Sequence, residues 1–237
     1  NIGQRVLDAE FPADLQASSV LRTIGAGERT FSAIATRCGI SATSLTRALA
    51  LLTEKRVIAV DEPVSLRPTP KLARYRIADP YLRFWLRFVE AGIADIRRGR
   101  PDLALARLRR DWVSYRGRAV EPVVREALDR LSITDEVLGG AQRVGGWWPR
   151  SNNPEVDLVG VRPADRPNTV TFVGSVKWRE DGAFDERDLA GLARHRSEVP
   201  GAEQAHLVAV TRTTCAARPD ACYTPSDLLR AWGGPVS

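Results

Sequence analysis

Asp157 and Lys177 lie on two apolar stretches, EVDLVG and TVTFVGSVKW, that read as neighbouring strands. An acid and a lysine on adjacent strands, joined by Glu121 from the preceding helix, are parts that metal-dependent phosphodiester hydrolysis uses. A hard divalent cation such as Mg2+ or Mn2+ needs oxygen ligands, chiefly carboxylates. It activates water and offsets charge on the phosphate oxygens, while a nearby lysine orients the water or balances developing negative charge. Such sites usually carry a second acid two positions before the lysine. That position is Ser175, which faces the same way as Lys177 because side chains alternate along a strand. A serine hydroxyl is a neutral, weak ligand. Replacement acids follow closely: Glu180, Asp185, Glu186 and Asp188, with Asp185 and Asp188 on one helical face. Glu155 points to the opposite sheet face from Asp157 and is a poor substitute.

Helices and strands must hold these groups. RAVEPVVREALDRL carries Val120, Val123, Val124, Ala127, Leu128 and Leu131 at helical spacing. Glu121 sits near its start, where an acid also gains from the helix dipole, and Arg125 is four residues on, within pairing reach. AQRVGGWW, EVDLVGV and TVTFVGSVKW form three successive strands, DERDLAGLARHR a helix, HLVAVT a final buried strand and SDLLRAW a closing helix capped by Ser226. A three-strand meander followed by a helical crossover implies a mixed sheet with helices on its faces.

A separate unit precedes this one. Phe31, Ile34, Ala35 and Cys38 mark one helix, Gly39 stops it, and Ser41 or Thr43 caps the next. In that second helix Leu45, Ala48, Leu49 and Leu52 face inward. Two short amphipathic helices around a tight glycine turn are a helix-turn-helix. RVIAV and RYRIA, separated by the proline-broken EPVSLRPTPKLA, add a two-stranded wing. Thr43, Thr46, Arg47 and Ala50 lie opposite the apolar face, the composition that suits major-groove entry. Lys71 and Arg74 flank the wing and are expected to reach phosphates. Between the two units, Asp79 onward reads as helix. It carries the aromatic stripe Tyr81, Phe84, Trp85 and Phe88, then an arginine-rich helix from Pro101 with Arg107, Arg109, Arg110, Arg116 and Arg118.

The 237 residues carry 35 Lys and Arg against 29 Asp and Glu, a net charge of +6 that favours polyanion partners. No apolar run approaches the ~18–20 residues of a membrane span, so no membrane partner is expected and the expected location is cytoplasmic. The three cysteines and two histidines lack zinc spacing. Cys215 and Cys222 bracket a short loop, and a disulfide between them does not suit a cytosolic chain. The chain has no methionine and starts at Asn1, and is read as the later part of a longer protein or as a trimmed form of one. It contains no G-x-x-x-x-G-K-[ST], the nearest fragment GAGERT lacking the lysine.

Glu121 on a helix, Asp157 on the second strand and Lys177 on the third resemble the PD-(D/E)XK nuclease superfamily. The longer pattern is narrower: a winged helix, then YRIADPYLRFWLRFV, RAVEPVVRE, EVDLVG and GSVKW. From about Ser18 to Trp232 it resembles the C-terminal region of archaeal-type P-loop ATPases, a domain of unknown function with a nuclease-like fold. The resemblance implies a catalytic set of Glu121, Asp157, Ser175 and Lys177. Asp157 and Glu121 would be the metal ligands, with Ser175 standing where the family pattern has Glu. It also implies an ATPase domain ahead of Asn1, to which any ATP would belong.

The expected fold is α+β: a winged helix-turn-helix, a helical linker, and an α/β nuclease-like domain with a mixed sheet and an αβββαβ core. The expected boundaries are a linker at 1–17, the winged helix at 18–78, a helical connector at 79–115 and the nuclease-like domain at 116–237. The expected function is a DNA-binding module with a catalytically degenerate nuclease-like domain. Its partners would be double-stranded DNA, the upstream ATPase domain and a second copy in a homo-oligomer. Two alternatives stand beside it: an active Mg2+-dependent or Mn2+-dependent endonuclease using a carboxylate from the following helix, and a protein-interaction module regulating the ATPase.

Overall fold

The computed structural model describes residues 15–64, 72–162 and 169–233. The chain divides into two compact units, residues 1–61 with 73–112, and residues 62–72 with 113–237. It is mixed α and β. Among the described residues no helix is long and apolar enough to cross a membrane.

The first unit opens with α1 (Leu15–Ala26), α2 (Phe31–Cys38) and α3 (Ala42–Glu54). Thr30 caps α2 by accepting a hydrogen bond from the Ala33 N–H, and Gly39 ends it at φ 63°, a left-handed conformation that favours glycine. Of the two expected caps for α3, Ser41 is the one used; its hydroxyl accepts from the Ser44 N–H. Leu45, Ala48, Leu49 and Leu52 bury the inner face of α3. They pack in one core with Val20, Leu21 and Ile24 of α1 and Ile34 of α2. Strands β1 (Ile58–Asp61) and β2 (Arg74–Ile77) pair antiparallel, with Ile58 opposite Ile77 and Asp61 opposite Arg74. This is the helix-turn-helix and hairpin that the spacing implied.

Asp79 caps α4 (Pro80–Phe84), its carboxylate accepting from the Leu82 N–H at 2.6 Å. The helix then widens into a π-turn over Trp85–Glu90 before α5 (Ala91–Arg97). Trp85, Leu86 and Phe88 are buried in the widened stretch, whereas Tyr81, expected in the same stripe, is exposed. This aromatic segment belongs to the first unit. The two helices expected after Pro101 are one, α6 (Pro101–Leu131), which carries Pro122 inside it.

In the second unit the sheet order is β3 (Arg143–Trp147), β4 (Val156–Arg162), β5 (Thr169–Lys177), β6 (His206–Thr211), β7 (Ala221–Tyr223). The first three strands form the expected antiparallel meander, and β5–β6 and β6–β7 are parallel. The crossover between β5 and β6 is α7 (Glu186–Glu198). β7 was not read from the sequence; ACY is three residues long and has no period to detect. Helix α8 (Pro225–Leu229) is capped by Thr224 rather than Ser226, in a capping box with Asp227.

Each sheet face buries its own core. Val159, Val161, Val173 and Ala209 pack with Leu192 of α7 and Phe184. Leu158, Phe172, Val208 and Val210 pack with Val124, Ala127 and Leu128 of α6 and Leu228 of α8. Coverage on both faces explains why these strands read as continuous apolar runs without alternation.

Candidate functional site

Arg125 organises the site. It lies one helical turn after Glu121 on α6, and its Nη2 donates to Glu121 Oε2 at 3.1 Å. The guanidinium reaches further than the sequence indicated, because its Nε donates to the main-chain oxygen of Asp157 at 3.1 Å. The pair is largely withdrawn from water, with side chains 12% exposed for Arg125 and 15% for Glu121. Gly146 makes the room, since a Cβ there would lie 2.7 Å from Arg125 Nη2.

Asp157 and Ser175 meet across the strand pair. Leu158 is registered opposite Gly174, so one step outward brings Asp157 to Ser175. The Ser175 hydroxyl donates to Asp157 Oδ2 at 3.2 Å, and the Val176 N–H donates to the same oxygen at 2.8 Å. Burial pushes the Asp157 carboxyl above its usual range. The hydrogen bonds from Val176 and Ser175 and the charges of Lys177 and Arg125 oppose that rise without cancelling it.

Lys177 turns to the acid supplied by α7. Its Nζ lies 3.5 Å from Asp188 Oδ1. Asp188 is also gripped by Arg179 through two bonds of 2.8 Å and helps close the capping box at Asp185. Burial acts against its charge, but the Arg179 bonds and the Lys177 charge prevail and hold the carboxyl below its usual value. Asp185 spends its carboxylate on the Arg187 and Asp188 N–H groups. Glu186 is exposed at the start of α7. Glu180 pairs with Arg116 and with Arg212, the latter at 3.5 Å. Of the replacement acids, Asp188 is the one carried to Lys177, and it arrives already paired with two cations.

The divalent cation implied by the resemblance does not fit this set. Glu121 faces a guanidinium, Asp157 directs one carboxylate oxygen to two protein donors, and Ser175 adds no charge. Among the described residues, no group of three or more His, Cys, Asp or Glu side chains is placed to hold a metal ion.

The second candidate surface is the outer face of α3. Thr43, Thr46, Arg47 and Ala50 are exposed there, along with Thr36 and Arg37 of α2. The Thr46 hydroxyl donates to the Ala42 carbonyl at 2.9 Å. The expected wing contacts fare differently. Arg74 is paired along the backbone with Asp61 on β1 and bridged to Thr30, and it is only 4% exposed, so it does not present its charge to a phosphate backbone. Lys71 lies outside the described residues. The segment 62–72 belongs to the second unit. There Val64 is buried, its N–H donates to the Gly146 carbonyl at 2.8 Å, and the Trp148 indole N–H donates to the Leu72 carbonyl at 2.8 Å. No sequence signal marked this segment, because its contacts are to residues some 80 positions away.

The arginine-rich face of α6 is partly neutralised. Arg107 pairs with Asp95, Arg110 with Asp111 and Arg116 with Glu180. Cys215 and Cys222 are free thiols. Burial, with the neighbouring Cys215, pushes the Cys222 thiol up to about 12.

Residues 85–191 match DUF234, a family of archaeal and bacterial proteins of unknown function. The chain is 26% identical over 185 residues to an uncharacterized protein of Methanocaldococcus jannaschii, a match covering 78% of this chain and 40% of that protein. The chain therefore spans well under half the length of that curated relative. Among solved structures, it is similar to the homodimeric winged helix-turn-helix DNA-binding domain of a Mycobacterium bovis protein. That similarity has 20% identity and a TM-score of 0.30, over 41% of this chain and 85% of that domain.

Proposed function

We propose that the chain is a DNA-binding module. In this reading α3 of the first unit enters the major groove, and the second unit is a nuclease-like domain that has lost its catalytic metal site. The ATPase domain that the resemblance implies would be its partner. The observation that carries the reading is the division of α3. Leu45, Ala48, Leu49 and Leu52 are buried, while Thr43, Thr46, Arg47 and Ala50 stand together in solvent. Short polar side chains and one arginine let a helix approach base edges closely, and the arginine can address guanine or phosphate. The excess of basic residues supplies the sequence-independent attraction.

The test is fluorescence anisotropy of labelled duplexes over a salt series. Affinity should fall steeply as salt rises. Arg47→Ala should cost about 1–3 kcal/mol at a preferred site if the arginine reads a base, or lower the salt slope by about 1 if it meets a phosphate. Absence of binding to every duplex at low salt overturns the proposal.

A second reading has one observation in its favour: α7 brings Asp188 to within 3.5 Å of Lys177. If Asp188 stood in for the missing acid, the chain would nick plasmid in Mg2+ or Mn2+, and both Lys177→Ala and Asp157→Ala would abolish the nicking. Equal nicking by all three proteins would point to a contaminant.

A further inference from the structure

We propose that Arg125 is the resident cation of the candidate site. Its guanidinium takes over the charge-compensating place of a divalent metal, and Ser175 is the matching loss of an acid. The inference rests on reading the second unit as a nuclease-like domain without a working metal site, and it names what replaced the metal.

Three observations converge. Arg125 bonds simultaneously to the Glu121 carboxylate and to the main chain of Asp157, so it bridges the two residues that the resemblance assigns as metal ligands. Its guanidinium lies against Gly146, and its side chain is only 12% exposed. It is therefore built into the site and does not lean in from solvent. Finally, one carboxylate oxygen of Asp157, Oδ2, already accepts two bonds from within the protein, from the Ser175 hydroxyl and the Val176 N–H.

The charge balance follows. Three acids, Glu121, Asp157 and Asp188, stand with three cations: Arg125 pairs with Glu121, and Lys177 and Arg179 pair with Asp188. An acid at Ser175 would add a negative charge that a divalent ion could answer. With serine there, a divalent ion would have to enter beside a fixed guanidinium, and like charges at that range in a partly dry site repel strongly. Arginine suits the role because its guanidinium stays protonated when buried and its planar fork can address two acceptors together. Residues 121, 125, 146 and 175 thus form a linked set, in which a change at Ser175 alone does not reopen the site.

The test is Mn2+ binding followed by electron paramagnetic resonance on the full chain. The wild type should show no saturable uptake at millimolar ion. Ser175→Glu alone should behave likewise, because Arg125 still fills the site. Ser175→Glu combined with Arg125→Ala should gain one-to-one binding, at least ~10-fold tighter than wild type, since a carboxylate has been added and a facing cation removed. Adding Asp157→Asn should abolish that gain. Where circular dichroism shows that the Arg125→Ala combination does not fold, Ser175→Glu with Arg125→Gln serves instead, as it keeps donors for Glu121 and Asp157 without the charge. One-to-one Mn2+ binding by the wild type, lost in Asp157→Asn, overturns the proposal. So does a folded double variant that binds Mn2+ no better than wild type. Duplex binding through α3, measured on the same proteins, should be unchanged, so failure of the resident-cation inference is distinguishable from failure of the DNA-binding reading.

Discussion

Arg125→Ala should destabilise the second unit far more than a helix-surface arginine would. An exposed i,i+4 pair contributes about 0.3–0.5 kcal/mol. Here the partners are 12% and 15% exposed and joined at 3.1 Å, so both charges have already been taken from water. Removing one member of such a pair leaves the other without its counter-charge and costs about 3–5 kcal/mol. Truncation also strips the Asp157 carbonyl of its arginine donor, which places the expected loss in the upper part of that range. Arg125→Met keeps the apolar stem and separates packing from charge. Combined with Glu121→Gln it should cost less than the sum of the two single changes, with a coupling of at least ~1 kcal/mol. Urea unfolding with linear extrapolation gives the free energies, and hydrogen exchange of the β3–β5 amides reads the second unit separately from the first. A loss below ~0.5 kcal/mol in Arg125→Ala would mean that the pair behaves as a solvated surface pair, and the electrostatic account of the site would fail.

Asp157→Asn should be neutral or stabilising at pH 7, because an amide can take the Val176 and Ser175 bonds without a buried charge. The folded-state value of Asp157 is raised, so its contribution is fully present below the unfolded value of ~3.9 and is lost as pH rises through the raised folded value. The gap between wild type and variant should therefore close as pH falls toward ~4 in thermal melts. A large loss at pH 7 that does not change with pH would contradict this. Gly160→Ala would place a Cβ 2.2 Å from the Phe172 ring, which is fully buried. Overpacking of this kind costs about 1–3 kcal/mol, visible as a lower urea midpoint; an unchanged midpoint would show that the ring can move aside.

Much of the local structure follows from local rules. Helical spacing of Leu45, Leu49 and Leu52 fixes the inner face of α3, and therefore also its outer face of Thr43, Thr46 and Arg47. The apolar runs around Asp157 and Lys177 specify buried strands, and Arg125 four residues after Glu121 already implies the pair. That Ser175 stands where an acid is expected follows from the resemblance. The other conclusions need only the period of a helix or strand and the charge of a side chain.

Tertiary structure decided where the long-range partners fall. The second bond of Arg125 joins positions 32 residues apart, and its packing space comes from Gly146 on another strand. Arg74 reads as an exposed wing arginine, yet the fold leaves it only 4% exposed. EPVSLRPTPKLA reads as a proline-broken loop, yet its Val64 and Leu72 bond to Gly146 and Trp148. Asp188 reads as one of several nearby acids, yet helix α7 delivers it to Lys177 and Arg179. The same reason underlies each case. Backbone periodicity is set by neighbours in sequence, whereas the charge state and accessibility of a polar side chain are set by whatever the fold packs around it.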